Sequence, residues 1–158
     1  MTKEQIQNFT FRISTANRID MIAILYDMGI EYLNGALTAL KESRFKDFSD
    51  EIYRFRGVNR ELMDSVNNET QIGRNFLSIY VFMGRMVTEA LINREGEPLE
   101  RVIGMLTKMS ETYRELGKKD PTGPVMEHAE TVYSGFTYNR NRVTDNVSNA
   151  DVNRGFLA

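Results

Sequence analysis

The side chains richest in chemical options lie near the C-terminal end, where Glu127, His128 and Glu130 fall close together. Carboxylates beside an imidazole are the raw material of a di-metal centre in a helical bundle. Such a centre needs Glu-x-x-His pairs, as a rule two of them, projecting into the core. His128 is the single histidine of the chain, and the position three residues before it is Val125. Residues one or two apart do not share a helix face, so neither Glu127 nor Glu130 can join His128 on a metal. No metal site is therefore expected, and a histidine without an orienting partner makes a poor general base. There is no cysteine, which removes thiolate ligands, thiolate nucleophiles and disulfides. No glycine-rich loop follows a strand to cradle phosphate. Asp20, Asp27 and Glu31 share one side of a helical segment, where carboxylates usually face solvent or pair with Arg and Lys. The residue types thus point away from catalysis: no catalytic residue and no cofactor is expected.

Charge excludes a second class. Twenty Lys and Arg against 22 Asp and Glu give a formal net charge of −2, without the basic surplus that phosphate backbones demand. Arg54, Arg56 and Arg60 form a local cluster, but Glu51, Glu61 and Asp64 alternate with them, the pattern of a solvated helix face. A nucleic-acid partner is not expected. Apolar residues make up 41% and charged residues 27% of 158, a globular balance with room for one domain. Met1-Thr2-Lys3-Glu4-Gln5 leads into no apolar signal core, and no apolar run reaches the ~18 residues of a membrane span. The expectation is a cytoplasmic protein without membrane insertion.

The elements that must position any site are helices. The three prolines are Pro98, Pro121 and Pro124, so the first 97 residues lack the strongest helix breaker. Apolar residues recur there with a 3.6-residue rhythm. One stripe runs Ile19, Ile22, Tyr26, Gly29, Leu33, Ala36 and Leu40, with Asn17 as cap and Asp20 as a capping-box-like partner. A second runs Phe48, Ile52, Phe55, Asn59, Leu62 and Val66; a third Ile72, Phe76, Ile79, Met83, Val87 and Ala90. Gly96 is expected to stop the third helix, and Pro98 to open a fourth through Leu99, Val102, Leu106, Met109 and Tyr113 to Gly117. The expected fold is all-α, an antiparallel up-and-down four-helix bundle over residues 17–118, with helices at about 17–41, 46–67, 71–94 and 98–117. Residues 1–16 are an N-terminal segment carrying Ile6, Phe9, Phe11 and Ile13, able to pack across the bundle. Residues 119–158 are a C-terminal extension, with a short helix near 125–134 and an irregular tail after the breaker Asp120-Pro121-Thr122-Gly123-Pro124.

Helix one is more apolar than a bundle helix needs to be. Met21, Ile24, Leu25, Met28, Ile30 and Tyr32 add to its seam, and only Asp20, Asp27 and Glu31 are charged between Ile19 and Leu33. A helix apolar nearly all round is either central in its fold or covered by something else. The chain's own ends could supply the cover; a partner protein could do so equally well. Met21, Met28, Met63, Met83, Met86, Met105 and Met109 fit an adaptable groove, though each alone is ordinary core filler. Asn59 interrupts the second stripe and is either buried with hydrogen-bond partners or exposed at a kink.

The stretch Thr15-Ala16-Asn17-Arg18-Ile19-Asp20-Met21-Ile22-Ala23-Ile24-Leu25-Tyr26-Asp27 resembles the signature of the FliS family of flagellin export chaperones, Thr-Ala-Ser-Pro followed by an apolar run ending Leu-Tyr-Asp. Asn75-Phe76-Leu77-Ser78-Ile79-Tyr80-Val81-Phe82-Met83 is similar to the family's Asn-Leu-x-x-Leu-Tyr-x-Tyr-Met, and Arg85, Glu89 and Ala90 continue the match. Leu99 through Tyr113 is similar to the family's last helix, so the likeness covers about residues 9–118. Arg18 stands where the family has Pro, at a first helical position where Pro only pre-sets the backbone.

The resemblance implies a chaperone that covers the disordered C-terminal segment of flagellin and prevents premature polymerisation before export. Its physics is coupled folding and binding, amphipathic helical pieces laying apolar faces on the bundle. Matched motif positions give the expected client-binding groove as Ile22, Leu25, Tyr26, Ile30 and Leu33 with Phe76, Tyr80 and Met83. Phe9, Phe11 and Ile13 would form a movable flap over it. A flagellar export component is a further implied partner. The competing expectation is a homodimeric helical adaptor that buries helix one against its own copy. Val143, Val147, Ala150 and Leu157 suggest, more weakly, that residues 136–158 occupy the groove as an internal placeholder.

Overall fold

Asn17 starts the long first helix of the bundle as its side chain should, accepting a hydrogen bond from the Asp20 backbone N–H at 2.7 Å. In the computed structural model, which describes residues 1–119, five helices follow one another: α1 (Lys3–Thr15), α2 (Arg18–Lys41), α3 (Phe45–Asp64), α4 (Gln71–Asn93) and α5 (Glu97–Gly117). No strand occurs among the described residues. The expected helix near 125–134, His128 and the groove-filling tail lie outside the described residues.

The chain forms an all-α helical bundle. Among the described helices, α2 lies against α3 and α5, α4 lies against the same two, and α1 lies against α2 only, while the Met1 amino group before it reaches Glu51 of α3 at 3.4 Å. Close pairs run from end to end of the neighbours. Arg94, just past α4, sits over the Phe45 ring that opens α3 (4.2 Å), while Asn59 in the last third of α3 meets the Tyr80 carbonyl near the middle of α4. The core is the union of the four stripes: Tyr26, Leu33, Phe48, Ile52, Phe55, Leu62, Tyr80, Met83, Val87, Leu99, Val102 and Leu106 are all essentially excluded from water. Gly29 marks where the helices come closest. A Cβ there would press on Leu106 at 3.3 Å and Phe55 at 3.4 Å, so its absence lets α3 and α5 approach α2 together.

Four local expectations are corrected. Residues 3–15 are helical, because Thr2 and Gln5 form a reciprocal capping box and Phe9 and Ile13 share one face four residues apart. The second expected helix stops at Asp64 rather than 67; the Ser65 hydroxyl turns back to the Leu62 carbonyl and Asn67 takes part in the turn that follows. Arg94, not Gly96, closes α4, in a left-handed conformation (φ 56°) with its N–H on the Ala90 carbonyl; Gly96 is instead the N-cap of α5. Gly117 is the last residue of α5 and Lys118 after it keeps right-handed angles, so the glycine serves space rather than a left-handed stop: a Cβ there would run into the Asp20 carboxylate.

Candidate functional site

α2 has two apolar faces, and the structure assigns them different neighbours. The inner face presents Tyr26, Gly29, Leu33 and Ala36 to the bundle. The Tyr26 hydroxyl meets the Tyr80 hydroxyl of α4 at 2.5 Å, a single bridge across the interior between helices whose backbones do not touch. Tyr113 of α5 stands edge-on to Tyr26 (centroids 5.5 Å apart), and Phe76 packs on both Tyr80 and Tyr113 at 6.2 and 6.1 Å. Burial first, then the hydrogen bond and charge of Tyr80, push the Tyr26 hydroxyl far above its ordinary range. Burial likewise pushes Tyr80 up to about 12, although its bond to Tyr26 works the other way. Both phenols stay neutral at working pH. They bond to one another as structural hydrogen-bonding groups joining α2 to α4.

The outer face of α2 is covered by α1. Phe9, buried, packs with Ala16 and Ile24, and Met1, Ile13, Met21 and Met28 close round them in a second, smaller core. Polar latches flank this contact. Gln5 donates through Nε2 to Glu31 Oε2 at 2.6 Å, and the Arg12 guanidinium pairs with Asp27 Oδ2 while stacking over the Phe9 ring at 5.2 Å. Asp27 is a junction: its Oδ1 accepts from Ser110 Oγ at 2.7 Å, and Arg114 of α5 shares Oδ2 with Arg12. Burial alone would raise its pKa, but the hydrogen bonds from Ser110, Arg12 and Arg114 prevail and hold it below the usual carboxylate range. Beside these latches a cleft of 320 Å³ opens between α1 and α5, reaching Ile30.

The expected groove residues divide between these surroundings. Tyr26, Leu33, Tyr80 and Met83 are interior, because their stripe positions point at the other bundle helices. Ile22, Leu25, Ile30 and Phe76 are half-buried at the edge of the same core. In the expected flap, Phe9 is buried, Ile13 half-buried and Phe11 44% exposed. The residues that hold the flap down, Arg12 and Gln5 with Asp27 and Glu31, were not among the expected set. The sequence carried one signal for them: the acidic side of helix one faces an Arg placed three residues after Phe9.

Among the described residues no cluster of three or more His, Asp or Glu side chains could hold a metal ion, and no helix is long and apolar enough to cross a membrane. What the arrangement offers is apolar area on α2 covered by α1. No curated protein matches the chain. The family model described as Flagellar protein FliS matches residues 1–120, which takes in all five helices and both motifs carried by α2 and α4. With three-quarters of its length in that match, the chain belongs to the FliS family of flagellar chaperones.

Proposed function

We propose that this protein is a flagellin export chaperone that works in the cytoplasm. In this reading it covers the otherwise disordered C-terminal segment of flagellin, and so prevents polymerisation before secretion. The observation that carries the reading is that, among the described residues, α1 packs on α2 only, with one further tie from the Met1 amino group to Glu51 of α3, and covers the apolar patch of Met21, Ile24 and Met28. A client helix with an apolar face displaces α1 and takes over that patch, extending onto the half-exposed Ile22, Leu25, Ile30 and Phe76. Phe9, Phe11 and Ile13 are the flap that leaves. Tyr26, Leu33, Tyr80 and Met83 support the surface from beneath. Ordering the client offsets part of the gained contact, which keeps the complex releasable.

The test is calorimetric titration of the full chain with a peptide spanning the C-terminal segment of flagellin, together with its size in solution. A monomer that forms a one-to-one complex supports the chaperone. A tight dimer through α2 that ignores the peptide overturns it in favour of the homodimeric adaptor.

A further inference from the structure

A second cleft lies on the other side of the bundle, between α3 and α4, and its 780 Å³ is more than twice the volume of the one beside α1. Two glycines leave it open. A Cβ on Gly57 would meet nothing within 4 Å, and one on Gly84 would meet only the Asn59 amide nitrogen at 3.4 Å. Glycine inside a helix is less favourable than alanine by about 1 kcal/mol, so two of them lining one cleft secure room at the expense of helix stability.

Asn59 lines the same cleft and is only 5% exposed. Its Nδ2 donates to the Tyr80 carbonyl at 3.0 Å, but its Oδ1 is buried with no donor among the described residues. A buried acceptor in that condition is costly until a water or another donor reaches it. The rest of the lining is unbalanced in charge. Arg56 and Arg60 come from α3 and Arg85 from α4, against Glu89. Among the described residues no carboxylate lies within ion-pair distance of any of these three guanidinium groups. The chain as a whole carries −2, so this positive surplus is local. Val81 and Ile92 add exposed apolar surface to the lining.

We propose that the α3–α4 cleft is a second docking site, which takes an acidic amphipathic helix from a partner protein other than the client. Its apolar side lies over Gly57 and Gly84 between Val81 and Ile92. Its carboxylates pair with Arg56, Arg60 and Arg85, and a side-chain donor satisfies Asn59 Oδ1. Because the cleft shares no lining residue with the α1-covered patch or its half-buried rim, the two sites can be filled at once.

The test uses the full chain, labelled for NMR, and two synthetic helical peptides with the same leucine pattern. One carries Glu and the other Lys on the polar face. The Glu peptide is expected to shift the backbone amides of Gly57 and Gly84 and the side-chain amide of Asn59, while the Lys peptide leaves them in place. Gly57→Leu fills open space without touching the core and replaces a poor helix former, so it should abolish binding while Tm stays the same or rises. Arg60→Glu should weaken binding about tenfold at low salt. Saturating flagellin peptide should not compete. No binding, equal binding of both peptides, indifference to Gly57→Leu, or shifts confined to α1 and α2 would each overturn the proposal. So would a concentration-dependent dimer broken by Gly57→Leu, which makes a second copy the occupant. Shifts of residues 120–158 caused by that substitution without peptide would make the chain's own tail the occupant. None of these results bears on the flagellin titration, so the two readings stand or fall separately.

Discussion

The two faces of α2 bury apolar residues of similar kind by different means. On the inner face Leu33 and Tyr26 are enclosed by helices that also hold one another, so nothing there can leave without unfolding the bundle. On the outer face Phe9 is nearly as well buried, yet among the described helices its own packs on α2 only and is joined to it by a short connection, Ala16–Asn17. The degree of burial therefore says little about how tightly a side chain is held; the number of independent routes holding its element says much more.

The comparison is most sharply tested by truncating one residue on each face. Leu33→Ala should destabilise the protein by about 2–5 kcal/mol in denaturant unfolding, the usual result of a cavity in a closed core. Phe9→Ala removes a larger side chain but should lower global stability by only about 1 kcal/mol, because the loss is capped by the docking free energy of α1. Equal losses would show that α1 is an integral part of the bundle. Next in size is Tyr26→Phe, which strands the Tyr80 hydroxyl in the interior and should destabilise by about 1–3 kcal/mol; adding Tyr80→Phe should recover part of that. Deleting residues 1–16 should leave the cooperative transition in place while tightening flagellin-peptide binding about tenfold, as expected when a competing cover is removed. An unchanged affinity would break the link between the outer face and the client.

The smallest effect is electrostatic. Arg12→Ala should lower stability by about 1 kcal/mol or less, since the guanidinium is part-exposed. Asp27 has a depressed folded-state pKa, so its contribution is complete above the ordinary carboxylate range and is lost as pH falls through the lower folded value. Amide exchange of α1 during acid titration should show α1 loosening before the rest of the bundle, and Arg12→Ala, which cuts the tie between α1 and Asp27, should abolish that separate step.

Much of this architecture was legible in the sequence, and the reasons for the rest are physical. The 3.6-residue stripes located α2 to α5, and Asn17 fixed the start of α2 to the residue. The end of α4 was misread because glycine is the usual left-handed cap, whereas here Arg94 adopts that conformation and its side chain lies over Phe45. α1 went unread as a helix because its apolar residues are sparse, although Thr2 and Gln5 displayed the capping box. The site was legible only as a list of residue types. Motif positions gave Tyr26 and Tyr80, but periodicity cannot separate a stripe that faces three helices from one that faces a single removable helix. That distinction depends on which elements meet, and it appears only with the fold.

Asp27 has one more consequence. If α1 gives way to a client as proposed, it takes Arg12 with it, yet the Asp27 carboxylate keeps Ser110 and Arg114 from α5. Asp27 is then not left stranded, whereas Glu31 loses the Gln5 donor and is returned to solvent. An incoming helix that sets a donor or a cation opposite Glu31 would therefore compete better than one matched by apolar area alone.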